Sequence, residues 1–176
     1  AFKYRNPVMI LSDGVIGQMM EKVMLTEPQP RWSDAYIAEH WGGWATTGKP
    51  ADRKRNIVTS VELDPLRQER FNLKLSEKYR TIRENEVRYE AVQCDDADYV
   101  LVAYGSSARI SQKAVELARE EGLKVGLLRP VTLYPFPTGA IDELSQRVKG
   151  FLSVEMSTGQ MIEDVQLAAR CRVPVF

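Results

Sequence analysis

Two short turns, Gly105-Ser106-Ser107 and Ser157-Thr158-Gly159-Gln160, place small and hydroxylated residues just before segments that read as helices. The first turn of a helix offers free backbone N–H groups and the positive end of the helix dipole, which suit a phosphate or carboxylate. Arg129 follows an apolar run and could help neutralise such an anion. Ser106, Ser107, Arg129, Ser157, Thr158 and Gln160 are therefore the candidate anion ligands. The same residues are explained equally well as helix caps, each contributing about 1 kcal/mol, and the cap reading is preferred because no second certain cation stands nearby. Glu155 precedes the second turn. It either titrates abnormally or is a carboxylate held by the neighbouring N–H groups.

Other chemistries lack their residues. Neither turn matches GxGxxG or GxxxxGK[ST], which argues against a self-contained dinucleotide or ATP site. His40 is the one histidine, so a Ser–His–Asp arrangement has no base near either turn. Cys94 and Cys171 are far apart and form no CxxC, so both are expected to be reduced structural thiols, and a zinc or iron–sulfur site from this chain alone is not supported. No catalytic, cofactor-binding or metal-ligating residue is assigned. Lys and Arg number 24, as do Asp and Glu, giving a formal net charge of zero. That balance gives no electrostatic case for nucleic acid or an anionic membrane. No apolar run approaches the roughly 18 residues of a membrane span, and the order of a signal peptide is absent. A cytoplasmic location is expected.

The 176 residues, 44% apolar and 27% charged, are enough for one globular domain with a core, or one domain and part of another. Pro7–Leu11 reads as a buried parallel strand, Asp13-Gly14 as its turn, and Val15–Glu21 as a helix start. Residues 23–53 show no sustained period and hold Trp32, Trp41 and Trp44; they read as a linker pinned down by aromatic burial. A short strand is expected at 55–61. Asp64-Pro65 then starts a charged helix running to about Tyr89, with Phe71, Leu75, Tyr79, Ile82 and Tyr89 in its apolar stripe and a Glu84–Arg88 pair outside. From 96 the pattern alternates: strand 99–104, helix 108–121 with Ile110, Ala114, Leu117 and Ala118 inward, strand 123–128, helix 140–148, strand 151–156, a helix to about 169, and the start of a strand at 173–176. Alternating strands and helices predict an α/β fold, a mostly parallel sheet with flanking helices. Such sheets collect ligands at the C-terminal ends of their strands, where GSS, Arg129 and STGQ fall.

The stretches NPVMILSDGVIGQMME, WATTGKPADRKRNIVTSVELDP, NLKLSEKY, ENEVRYE, DYVLVAYGSSARI, GLKVGLLRPVTLYPFP and VEMSTGQMIEDVQLA closely resemble alpha subunits of 2-oxoacid:ferredoxin oxidoreductases, in order along nearly the whole chain. The short WATTGK linker is most similar to the 2-oxoisovalerate type, with the 2-oxoglutarate type as the alternative. The resemblance implies a C-terminal portion of such a subunit. On it, residues 1–22 are a remnant of the pyrimidine-binding thiamine diphosphate domain, 23–95 a linker with a long charged helix, and 96–176 a domain like the C-terminal domain of transketolase.

The resemblance further implies an intact complex that oxidatively decarboxylates a 2-oxoacid to an acyl-CoA and reduces ferredoxin. Thiamine diphosphate, magnesium and iron–sulfur clusters would belong to that complex, none of them bound by this portion, which alone is expected to be inactive and to act as an assembly scaffold. Its implied partners are a thiamine-binding beta subunit, a small ferredoxin-like subunit, ferredoxin and coenzyme A, with a homodimer compatible and nucleic acid or membrane not expected. A domain that binds coenzyme A or another anion through its helix N-termini is the competing reading.

Overall fold

The computed structural model describes residues 1–44, 46, 48–49, 51–52 and 54–176. The chain divides into two compact units, one of residues 1–19 and 73–176, the other of residues 20–72.

The larger unit is built on four strands: β1 (Tyr89–Val92), β2 (Tyr99–Ala103), β3 (Val125–Pro130) and β4 (Gly150–Val154). Their spatial order is β1-β3-β2-β4. β2 pairs parallel with both β3 and β4, whereas β1 runs antiparallel to β3 at the edge. Beyond β4 the chain's last residues extend the sheet. Phe151 pairs parallel with Val175, and the Ser153 N–H donates to the Phe176 carbonyl at 2.7 Å. The expected strand start at 173–176 is thus the sheet's other margin.

Helices cover both faces, and the alternation of the strands divides the core accordingly. Val100, Val102, Leu128 and Phe151 pack with Ile141 and Leu144 of α5 (Thr138–Leu144) and with Met161, Val165 and Ala168 of α6 (Met161–Ala168). On the opposite face Ala103 and Leu127 pack with Ala108 and Val115 of α4 (Gly105–Glu120). A Cβ at Gly126 of β3 would lie 2.8 Å from the Gln93 carbonyl oxygen and 3.0 Å from Cys94 Sγ. Only glycine lets the 93–94 corner close over the strand. Cys94 is a buried free thiol whose ionisation burial pushes up, while Cys171 is exposed and free.

Several expectations are corrected. Helix α3 (Pro65–Asn85) ends four residues before Tyr89, which opens the edge strand β1. Arg88 lies outside the helix, and Glu84 meets Arg80 instead, at 3.4 Å. In α4 the buried residues are Ser107, Ala108, Ser111 and Val115, while Ile110 is 69% and Leu117 50% exposed. The helix carries two stripes, and the smaller side chains win the sheet because they let the helix axis approach closely. Pro7–Leu11 forms no strand and its apolar side chains are exposed. Extended backbone needs a paired neighbour to become a strand, and none pairs with it among the described residues. Residues 54–61 likewise form no strand; Arg53 lies outside the described residues.

In the smaller unit the stretch expected to be an irregular linker contains α2 (Asp34–Trp41), with the Ser33 hydroxyl accepting from the Tyr36 N–H at 3.2 Å. Its rings stack on each other: Trp32 on Tyr36 with centroids 4.5 Å apart, and Tyr36 on His40 at 3.9 Å.

Within the larger unit, residues 1–19 are tied to residues 73–176 through polar contacts. Lys3 Nζ and Tyr4 Oη donate to Glu86 Oε1 at 2.6 and 2.7 Å, and Lys78 Nζ donates to Asn6 Oδ1 at 2.9 Å. The third tether is Asp13, which caps the short helix α1 (Gly14–Gln18).

Candidate functional site: the carboxyl edge of the parallel strands

At the end of β2 the chain turns through Gly105, whose φ of +57° is the left-handed conformation that favours glycine. The turn releases Ser106 at the start of α4. Its hydroxyl donates to Asp13 Oδ2 at 2.5 Å, while Asp13 Oδ1 accepts from the Ile16 N–H at 2.7 Å. The hydrogen bond from Ser106, followed by that from the Ile16 amide, holds the Asp13 carboxyl below its ordinary value. One carboxylate therefore serves the first turns of two helices. Ser107, the next residue, is one of the buried residues of α4.

At the end of β4 a second carboxylate does the same for α6. Glu155 Oε2 accepts from the Gln160 and Met161 N–H groups at 3.1 and 3.0 Å, and Oε1 accepts from the Ile162 N–H at 3.1 Å. The Ser157 hydroxyl donates to Oε2 as well. Burial by itself would raise the Glu155 carboxyl; the bonds from Ser157 and the Met161, Ile162 and Gln160 amides outweigh it, and the group lies below its ordinary value. The helix is capped by a residue from the preceding strand end. The Ser157 hydroxyl supports that carboxylate, Thr158 is exposed, and the Gln160 side chain makes no cap bond.

Arg129 stands on β3 directly across from Glu90 of β1, and its Nη1 meets Glu90 Oε2 at 3.0 Å. The structure thus brings Ser157, Glu155 and the Gln160 amide together, joins Ser106 to Asp13, and engages Arg129 on the antiparallel edge. The preferred cap reading is corrected: neither α4 nor α6 has a side-chain cap bond from its own N-cap residue, the Ser106 and Ser157 hydroxyls donate to carboxylates, and the α6 N–H groups are held by Glu155, the second of the two readings given for that residue. Sequence reasoning missed Asp13 as a partner of Ser106, since 93 residues separate them and the only local signal was an Asp before a glycine.

Magnesium-bound thiamine diphosphate needs oxygen ligands for the metal and donors for two phosphate groups. Among the described residues no group of three or more His, Cys, Asp or Glu side chains could hold a metal ion, and the first turns of α4 and α6 each already face a carboxylate. The described residues of these turns do not fit that cofactor. No described helix is long and apolar enough to cross a membrane.

Residues 97–176, which hold β2, β3, β4 and both carboxylate-capped turns but Asp13, match the model of pyruvate:ferredoxin oxidoreductase core domain II. Ketoisovalerate oxidoreductase subunit VorB of Methanothermobacter thermautotrophicus is 49% identical over 172 residues, covering 98% of this chain and 47% of that protein. The chain belongs to the 2-oxoacid:ferredoxin oxidoreductase family. A more distant member, 2-oxoglutarate synthase subunit KorA of Methanothermobacter marburgensis, is 32% identical over 188 residues, covering 96% of this chain and 50% of that protein. The chain spans about half the length of these curated relatives. Among solved structures, 2-oxoglutarate:ferredoxin oxidoreductase from Magnetococcus marinus, with 2-oxoglutarate, coenzyme A and succinyl-CoA bound, superposes with a TM-score of 0.57. At 20% identity, covering 65% of this chain and 20% of that one, it supports the fold: a mixed α/β sheet with flanking helices, as the sequence predicts.

Within this family fold, Asp13 has an expected and separable effect. A five-residue helix cannot hold itself together, so α1 depends on the Asp13 cap and its bond to Ser106. Asp13→Ala is expected to speed amide exchange at Ile16 by about fivefold to tenfold, the exchange equivalent of a lost cap. Exchange within β2 and β3 should be unchanged. Hydrogen-exchange mass spectrometry of the two proteins reads the difference.

Proposed function

We propose that this chain is the part of an alpha-type subunit that carries core domain II in a complex oxidising 2-oxoisovalerate. The reaction joins the 2-oxoacid to coenzyme A, releases carbon dioxide, and passes two electrons to ferredoxin. The 49% identity sustained along 98% of the chain to a ketoisovalerate oxidoreductase subunit carries the substrate assignment. The 32% identity to a 2-oxoglutarate synthase subunit keeps 2-oxoglutarate as the second reading.

The chain's own contribution is architectural. Its two candidate anion turns are engaged by Asp13 and Glu155, and Arg129 by Glu90, so Ser106, Ser107, Ser157, Thr158 and Gln160 shape the strand ends. Thiamine diphosphate, magnesium and iron–sulfur clusters belong to the other parts of the complex, which include a thiamine-binding beta subunit and a ferredoxin-like small subunit.

The full-length subunit co-expressed with those partners tests the reading. Coenzyme A-dependent reduction of a viologen dye should proceed with kcat/KM for 2-oxoisovalerate about tenfold or more above that for 2-oxoglutarate, because a pocket for a branched apolar side chain leaves the second carboxylate of 2-oxoglutarate unpaired. The reverse order would transfer the assignment to the second reading.

A further inference from the structure

The connection from β3 to α5 and the end of α3 frame a cavity of about 250 Å³. It lies beyond the carboxyl end of β3, the edge where open α/β sheets collect ligands. Its walls include Val87, Tyr134, Pro135 and Phe136, and its polar side chains are Arg83 and Thr138. Several contacts hold these walls in place. Pro135 is buried, and Phe136 packs against the core cluster beneath α5 and α6. The Val131 and Thr132 N–H groups donate to the Arg88 carbonyl at 2.9 and 3.1 Å, and the Thr132 hydroxyl donates to the Pro135 carbonyl at 2.8 Å. The Tyr134 ring meets Tyr79 of α3 edge-on, with centroids 6.4 Å apart. A cavity braced in this way loses little loop freedom when it is filled.

The carboxylates that could neutralise Arg83 are engaged elsewhere. Arg80 holds Glu77 at 2.6 Å and Glu84 at 3.4 Å, and Glu86 accepts from Lys3 and Tyr4. Among the described residues Arg83 makes no side-chain hydrogen bond or ion pair, and the Thr138 hydroxyl makes no hydrogen bond. A guanidinium matches a carboxylate in two parallel hydrogen bonds. No second Lys or Arg lines the cavity, so one negative charge is matched and a second would be left unpaired. The aliphatic and aromatic walls favour an apolar body. The volume limits that body to roughly eight non-hydrogen atoms, counting about 30 Å³ for each water-sized group. We propose that this cavity binds a small branched aliphatic monocarboxylate, with the carboxylate on Arg83 and the alkyl chain against Val87, Pro135 and Phe136. The class includes the 2-oxoacid of the proposed reaction, but the assignment rests on the cavity and holds whichever substrate the complex uses.

Titration of the isotope-labelled 176-residue chain with isovalerate, followed by two-dimensional NMR, tests the proposal. The amide signals of Val87, Phe136 and Thr138 should shift together and saturate, with a dissociation constant of about 1 mM, a value suited to so small a ligand. Arg83→Gln should weaken binding by about tenfold or more, because it removes a charge-assisted pair. The variant should keep the wild-type circular dichroism, since Arg83 is exposed. Isoamyl alcohol has the same branched chain without the charge, and it should bind the wild type and R83Q equally weakly. Glutarate sets a second carboxylate against apolar walls and should bind about tenfold more weakly than isovalerate. Signals that do not saturate by about 50 mM isovalerate would overturn the proposal. Equal binding of isovalerate by R83Q, or of the alcohol and the acid by the wild type, would overturn it as well. So would shifts centred on the Ser106 or Gln160 turns, which would place the anion at a helix start instead.

Discussion

Replacing Phe151 by alanine is expected to lower the unfolding free energy by about 3–5 kcal/mol, the range for removing a buried aromatic side chain. Phe151 is 1% exposed and is the largest fully buried side chain of the chain's described residues. It lies on β4 between β2 and the last residues of the chain, and it belongs to the cluster that joins the sheet to α5 and α6. Both of its backbone groups are tied to the last residues of the chain as well: its N–H donates to the Pro174 carbonyl at 3.0 Å, and its carbonyl accepts from the Phe176 N–H at 3.1 Å. Those bonds survive the substitution, so the surrounding structure cannot collapse freely into the cavity. Urea unfolding followed by circular dichroism measures the change. A loss below about 1 kcal/mol would mean that the cavity closes, contrary to a backbone held in place by its bonds to the last residues.

Glu155→Gln should cost about 1–3 kcal/mol at neutral pH, the range for a hydrogen-bonded charged group that keeps some contact with solvent. The amide preserves the size of the side chain but removes the negative charge that three backbone N–H groups and the Ser157 hydroxyl face. The pH dependence has a definite sign. The folded-state value lies below the ordinary 4.5, so the contribution is complete above about pH 4.5 and is lost as pH falls through the lower folded-state value. The stability difference between wild type and variant should therefore be flat from neutral pH down to about 5 and shrink in more acid solution. A difference that grows on acidification would show that Glu155 is protonated in the folded protein and caps nothing.

The core half of this chain was legible before any coordinates because its signals are local and repeated. Val100-Leu101-Val102-Ala103, Gly126-Leu127-Leu128 and Phe151-Leu152-Ser153-Val154 are short apolar runs separated by helix-length segments, and a chain with that rhythm builds a mostly parallel sheet. The Glu155 turn was also readable, since its donors lie within seven residues of the carboxylate.

What remained hidden depended on partners distant in sequence. Two stripes of α4 could each have faced inward. Periodicity favours the one with larger side chains, whereas close contact with the sheet selects Ser107, Ala108, Ser111 and Val115. Tyr89 fits a helical stripe when taken with Ile82, and only the exposed edge of β3 draws it into an antiparallel strand with Pro130 opposite. The run at Pro7–Leu11 has strand composition but pairs with no neighbour among the described residues, and composition cannot supply one. Asp13 illustrates the same limit. Its short-range role as a cap could be anticipated from an Asp before a helix start, but its bond to Ser106 exists only because the fold carries α1 to the first turn of α4.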